Sequence, residues 1–236
     1  MVGSQSGSPV TNLLLAGLPR KDRQHILAGC ESVELTVAEV LCEPADRIRH
    51  VYFPAGSFIS LVIPVSGLES LEVELVGNEG MVGVPLVLGV DISALRTVVQ
   101  GSGMALRMNA ATFRRELELS PALRRTLHLY ITVFLGQLAQ TAACNRFHPL
   151  DARLARWLLM THDRAHSNDF YLTHEVLARM LGVRRVGVTN AAGLLQKQKL
   201  VRYSRGNITI LDRAGLEAVS CGCYRAVKDT YDAVLG

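Results

Sequence analysis

The chain has 236 residues, of which 49% are hydrophobic and 19% charged; that is enough for one or two domains with a full core, and too apolar for a disordered chain. No run of about 18 apolar residues occurs, so no membrane-spanning helix is expected, and residues 1–9 are Gly/Ser-rich without the basic flank and apolar stretch of a secretory leader. The net charge of +4 hides an asymmetry: residues 1–145 carry 11 Lys/Arg against 13 Asp/Glu, and residues 146–236 carry 14 against 8. A polyanionic partner is therefore expected at the carboxyl-terminal part.

Five cysteines (Cys30, Cys42, Cys144, Cys221 and Cys223) show no paired framework. An odd count without a leader fits the reducing cytoplasm. Cys221 and Cys223 offer two thiols one residue apart, but the spacing shows no further ligands. The cysteines are read as small buried hydrophobes, and no metal site is expected.

Residues 11–30 predict short helices, with Leu13, Leu14, Leu18, Ile26 and Leu27 apolar and Pro19 in the first turn of the second. From 33 to 108 the pattern changes to β-type runs at 33–37, 51–53, 58–63, 71–76, 95–99 and 104–108, punctuated by Gly, Pro, Asn and Asp. Leu71, Val73 and Leu75 alternate with Glu72 and Glu74, which predicts a strand with the carboxylates outward. Many short strands between turns argue for a β-sandwich or barrel. A jelly-roll metalloenzyme would need several histidines on these strands, and His50 is the only one in 33–108, so an enzyme is not expected.

Residues 107–118 predict a closing helix with Phe113 and Leu117 inward. Pro121 then opens a helix to about 145 that is apolar around most of its circumference. Leu127, Tyr130, Phe134 and Leu138 recur every three or four residues and are the candidate seam of a homodimer. The alternative is a helix buried wholly within one chain. Residues 144–146 are a hinge, and His148-Pro149 breaks the helix. Residues 150–165 predict an amphipathic helix with Leu154, Trp157, Leu158 and Met160 inward. His162 and His166 lie four apart without an acidic ligand set and are read as helix-end polar residues.

The next stretch is the most specific. Thr173 is an N-cap signal, and Val176, Leu177, Met180 and Leu181 follow at helical spacing. Gly182 breaks the pattern as a tight corner would. A second helix is predicted from about 183 to 197, with Val188, Ala191, Ala192, Leu194 and Leu195 buried. Runs at 200–203 and 208–211 flank Ser204-Arg205-Gly206-Asn207, a hairpin signal. Helix, corner, helix and hairpin make a winged helix-turn-helix. Between Leu172 and Gly206 stand seven cations, with Glu175 the one acid. Asp212 caps a final helical region, in which Val227, Tyr231 and Val234 continue an apolar stripe.

The run LTHEVLARMLGVRRVGVTNAAGLLQKQKLV, followed by RGNITILDRAGLEAVSC, resembles the DNA-binding domain of the CRP/FNR family of bacterial transcription regulators. The likeness extends more loosely from about residue 13 to the end. It implies an α+β fold: a β-roll effector domain over 10–120, a dimerisation helix over 121–146, and a winged-helix DNA-binding domain over 147–236. It implies a homodimer on a near-palindromic operator, with RNA polymerase as a further partner. By motif position Arg185, Val186 and Asn190 are the candidate base contacts. Thr173, Arg184, Thr189, Lys197, Lys199, Ser204 and Arg205 are the candidate phosphate contacts.

In the roll, Glu79, Gly80, Ser93 and Arg96 form the candidate effector pocket by the same resemblance. Ile92-Ser93 stand where cyclic-nucleotide-binding members place their phosphate arginine, so cyclic AMP is not expected. With only Cys30 and Cys42 early in the chain, neither an iron–sulfur cluster nor haem is expected. The alternatives are a protein-interaction module, or a regulator that needs no effector because its pocket is degenerate.

Overall fold

In the computed structural model, which describes residues 11–65 and 68–236, the alternating runs form seven antiparallel strands. They are β1 Glu31–Leu35, β2 Val40–Cys42, β3 His50–Pro54, β4 Phe58–Val65, β5 Leu68–Val76, β6 Arg96–Gly101 and β7 Gly103–Asn109. Two sheets, β1-β7-β3 and β2-β6-β4-β5, face each other. Phe53, Ile59, Met81, Val99 and Met108 fill the space between them. Strand β2 was not expected; three residues are too few for a periodicity. The helices α1 Leu13–Ala16 and α2 Arg20–Ala28 precede the roll, and Pro19 is the N-cap of α2 rather than a residue of its first turn.

Strand β5 departs from its expected orientation. Glu72 and Glu74 are 7% and 3% exposed. An alternating pattern says which residues share a face; it does not say which face is covered. Here both sets are covered, because the carboxyl-terminal domain packs on this strand: Trp157 bonds Glu72, and Leu71 and Leu75 of the other set also meet that domain.

After α3 Ala110–Leu119, Ser120 caps α4 Pro121–Phe147 by accepting the Leu123 N–H. Its 27 residues span roughly 40 Å. Leu127, Tyr130 and Phe134 are buried in the roll's own core, and Leu138 is half-buried against it. These four are therefore not the outward face of the helix, contrary to the expected seam. The bulky stripe is taken by the chain's own sheet. The exposed stripe is Leu129, Thr132, Leu135, Gly136, Ala139 and Ala142.

The rest of the chain forms a second core around Leu158, Leu177, Val188, Leu195, Ile208 and Leu216. Its helices are α5 Leu150–Ala165, α6 His174–Leu181, α7 Arg185–Lys197 and α8 Arg213–Val219. Strands β8 Asp169–Tyr171, β9 Val201–Ser204 and β10 Asn207–Ile210 form a sheet of order β8-β10-β9; β8 was not expected from the sequence. His166 is the left-handed C-cap of α5, and His162 bonds Asn168 at 2.7 Å, so both are helix-end residues as read. The last helix, α9 Cys223–Leu235, turns back over α4. Tyr224 belongs to the second core, Leu235 packs against the first, and the Tyr231 hydroxyl donates to Glu79 O at 3.1 Å. No described helix is long and apolar enough to cross a membrane.

Candidate nucleic-acid interface

The Thr173 hydroxyl oxygen accepts the Val176 N–H and starts α6. Gly182 ends it at φ +62°, with its N–H turned to Ala178 O and Arg179 O. A side chain is disfavoured in that conformation, and a Cβ there would also meet Leu71 Cδ1 of β5 at 2.7 Å. Arg184 is the N-cap of α7, which begins at Arg185, two residues later than expected.

On α7, Val188, Ala191, Ala192 and Leu195 are buried, while Arg185, Val186, Thr189 and Asn190 are exposed. Helical spacing of three and four gathers these four on one outward face. Leu194, expected inside, is 47% exposed. The Thr189 hydroxyl donates to Arg185 O at 3.1 Å and lies 3.0 Å from His174 Nδ1, so it is partly engaged. Arg184, Lys197, Lys199, Ser204 and Arg205 are all exposed around this face, and Thr173 is half-buried at its edge.

The hairpin turn is carried by Arg205 and Gly206, both at positive φ, the two-residue geometry that matches strand twist. Tyr203 holds this wing to the helices. Its N–H donates to Gln196 Oε1 at 3.0 Å, its hydroxyl donates to Leu172 O at 2.7 Å, and its ring stacks on His174 at 4.2 Å. Burial, and then the Arg185 charge, lower the His174 pKa. Neither His174 nor Gln196 stood out in the sequence; their only signal is position within the motif.

Residues 152–219 match the family model described as the Crp-like helix-turn-helix domain. The chain carries a Crp-like helix-turn-helix domain. Together with the roll and α4, it has the fold of CRP/FNR transcription regulators. A Eubacterium rectale protein described as a regulator of that family is 17% identical with a TM-score of 0.68, covering 87% of this chain and 96% of its own. The c-di-GMP-responsive global regulator CLP of Xanthomonas campestris is 15% identical at TM-score 0.66, covering 81% of this chain and 99% of its own. FixK2 of Bradyrhizobium japonicum is 12% identical at TM-score 0.66, covering 81% and 98%. No curated protein sequence matches the chain.

The roll of this CRP/FNR fold does not assemble the expected effector residues. Glu79 pairs with Arg164 of α5 at 2.6 Å, on the side facing the Crp-like domain. Gly80 lies against Tyr130, where a Cβ would overlap the phenol. The Ser93 hydroxyl donates to Leu95 O at 2.7 Å within its own turn. Arg96 pairs with Glu43 at 3.3 Å at the surface. Resemblance to a loop locates a segment, and local turns then decide where each side chain goes. A cavity of about 360 Å³ does exist between the roll and α4. Its walls include Leu41, Ile48, Leu61, Val84, Leu95, Ile131, Phe134 and Leu135, with Arg49, His50, Tyr52, Ser93 and Thr97 as polar members.

Proposed function

We propose that the chain is a homodimeric, sequence-specific DNA-binding transcription regulator of the CRP/FNR type. The observation that carries this reading is the acid-free outward face of α7, where Arg185, Val186 and Asn190 stand together at the helix's amino-terminal end. Arg185 forks onto guanine O6 and N7, Asn190 reads adenine, and Val186 meets a thymine methyl. The exposed α7 N–H groups, Arg184 and the basic wing hold phosphates. Two copies placed by a two-fold axis present two such helices about 34 Å apart, on half-sites one turn of duplex apart.

The dimer forms through the outer stripe of α4, where Gly136, Ala139 and Ala142 allow two helices close approach and Leu129 and Leu135 supply apolar contact. The effector is a small, mainly apolar molecule in the cavity under α4, since few polar groups line it. Ile131, Phe134 and Leu135 line that cavity, so a ligand there bears on the same helix that makes the seam. The regulator acts in the cytoplasm with RNA polymerase as a partner and performs no catalysis. Selection of bound duplexes from random DNA, followed by a mobility shift with wild type and Arg185→Ala, tests the reading. Selective binding that weakens on substitution supports it; failure to prefer any duplex over bulk DNA removes it.

A further inference from the structure

Three of the five cysteines meet at one point in the fold. Cys144 lies in the last turn of α4, and His148, four residues on, is its C-cap. That spacing puts both side chains on one side of the helix end. Cys221 and Cys223 flank Gly222 in the link from α8 to α9. Cys144 Sγ lies 3.4 Å from Cys221 Sγ, and Cys223 Sγ lies 3.4 Å from His148 Nδ1. All four donor atoms fall within 4.8 Å of one another. The cysteines are buried and free, and His148 is half-buried.

A tetrahedral ion with bonds of about 2.3 Å to sulfur and 2.0–2.1 Å to nitrogen sets its ligand atoms roughly 3.5–3.8 Å apart. Two of the separations here, at 3.4 Å, are close to that spacing, and none exceeds 4.8 Å, so shifts of about an ångström bring all four atoms onto one ion. An iron–sulfur cluster distributes its thiolates over separate irons and requires a wider cage. The surroundings carry compensating charge. Gln140 Nε2 donates to Cys223 Sγ at 2.9 Å. Arg153 and Arg156 line the same pocket as Cys144, and each has a buried Nε–H without an acceptor among the described residues. Three thiolates and one divalent cation leave a net negative charge, which these guanidinium groups offset: the bonds of Arg153 go to the neutral Asn145 Oδ1 and Leu181 O, and Arg156 donates to Thr141 Oγ1 and also stands near Glu72 and Glu74.

We propose that Cys144, His148, Cys221 and Cys223 bind one zinc ion in tetrahedral geometry. All four positions are filled by protein, so the site is structural, with no open place for substrate. The ion joins the end of α4, the start of the DNA-binding part and the root of α9. Since α9 then reaches the roll through Tyr231 and Leu235, the ion fixes the hinge on which the helix-turn-helix is carried.

The test uses untagged full-length protein, purified reduced and without oxygen. One zinc per chain by elemental analysis is expected. Refilling the apoprotein with Co(II) is expected to give the visible bands of a tetrahedral ion and the near-ultraviolet band of thiolate-to-cobalt transfer. Cys223→Ser should weaken zinc by more than roughly 100-fold, beyond the roughly 10–100-fold that the loss of an outer partner costs. If that variant does not fold, the Co(II) titration of the wild-type chain decides alone. Absence of the thiolate–cobalt band, stoichiometric iron with acid-labile sulfide, or a Cys144–Cys221 disulfide in place of metal would each overturn the proposal. None of these measurements depends on DNA binding.

Discussion

The Trp157 indole Nε1 donates to Glu72 Oε1 at 2.7 Å, across 85 positions of sequence. This bond joins α5 to β5 and so ties the Crp-like domain to the roll. Ser60 donates to the other Glu72 oxygen. Glu74, two residues on, takes only the Leu75 N–H on one oxygen, and its other oxygen has no partner among the described residues. Arg164 and Arg156 stand nearby, and Arg164 is committed to Glu79 at 2.6 Å. Burial is the larger influence. It raises Glu72 to about 7 and Glu74 to about 8, against the opposing pull of hydrogen bonds and of the two arginines.

The first prediction concerns pH. In the unfolded chain both carboxyls ionise near 4.5, whereas the docked arrangement retains their protons to higher pH. The stabilisation is therefore complete below about pH 4.5 and is lost as pH rises through about 7 for Glu72 and about 8 for Glu74. Trp157 is the only tryptophan, so its emission reports this junction alone. A spectral change between pH 6 and 9 is expected, with its upper part removed by Glu74→Gln. An unchanged titration in both Glu72→Gln and Glu74→Gln would show that the junction does not titrate there.

The second prediction concerns the corner of the helix-turn-helix. Gly182→Ala costs about 1–2 kcal/mol for left-handed backbone and also sets a methyl 2.7 Å from Leu71 Cδ1. The neighbour is a side-chain end, so it yields at some further cost. Combining Gly182→Ala with Leu71→Ala should relieve the overlap, giving a coupling of about 0.5 kcal/mol or more in a urea-denaturation cycle. Strict additivity would mean that the corner does not rest on β5.

The same junction explains which features could be read in advance. Helix α5 was predicted at its observed bounds because its apolar spacing, Pro149 and the change at Ala165 agree. The Gly182 corner and the Arg205-Gly206 turn were legible because each needs a backbone that few residues accept. The covered face of β5 was not, since a strand's period is blind to a domain arriving 85 positions later. Leu127 and Phe134 were apolar for the roll, not for a partner, because helical spacing identifies a stripe without naming what covers it. Cys144 and Cys221 lie 77 positions apart, and only the return of α9 brings them together.

The third prediction separates the two faces of α4. Ala139→Glu places a carboxylate in the exposed stripe and should shift light-scattering mass from dimer to monomer while the melting of each chain stays near wild type. Leu127→Ala acts in the roll's core, where Leu127 is fully buried, and should cost about 2–5 kcal/mol of stability. A dimer that survives Ala139→Glu unchanged would place the interface elsewhere.

The last prediction distinguishes reading from holding at the DNA. Arg185→Ala should lose about 1–3 kcal/mol per half-site on the selected operator and relax preference at a single base-pair position, because a bidentate base contact carries sequence information. Lys199→Ala should instead weaken specific and non-specific duplexes alike. A phosphate contact releases about one counterion, so in a dimer the slope of log affinity against log salt should become shallower by about 2. Lys199 is suited to that role: it is exposed and sits at φ +58° just beyond the end of α7, outside the helix positions that carry Arg185 and Asn190. Mobility shifts at several salt concentrations on operator and scrambled duplexes resolve the two effects. Equal salt slopes for wild type and Lys199→Ala would remove that lysine from the interface, and unchanged base preference in Arg185→Ala would remove the arginine from the readout.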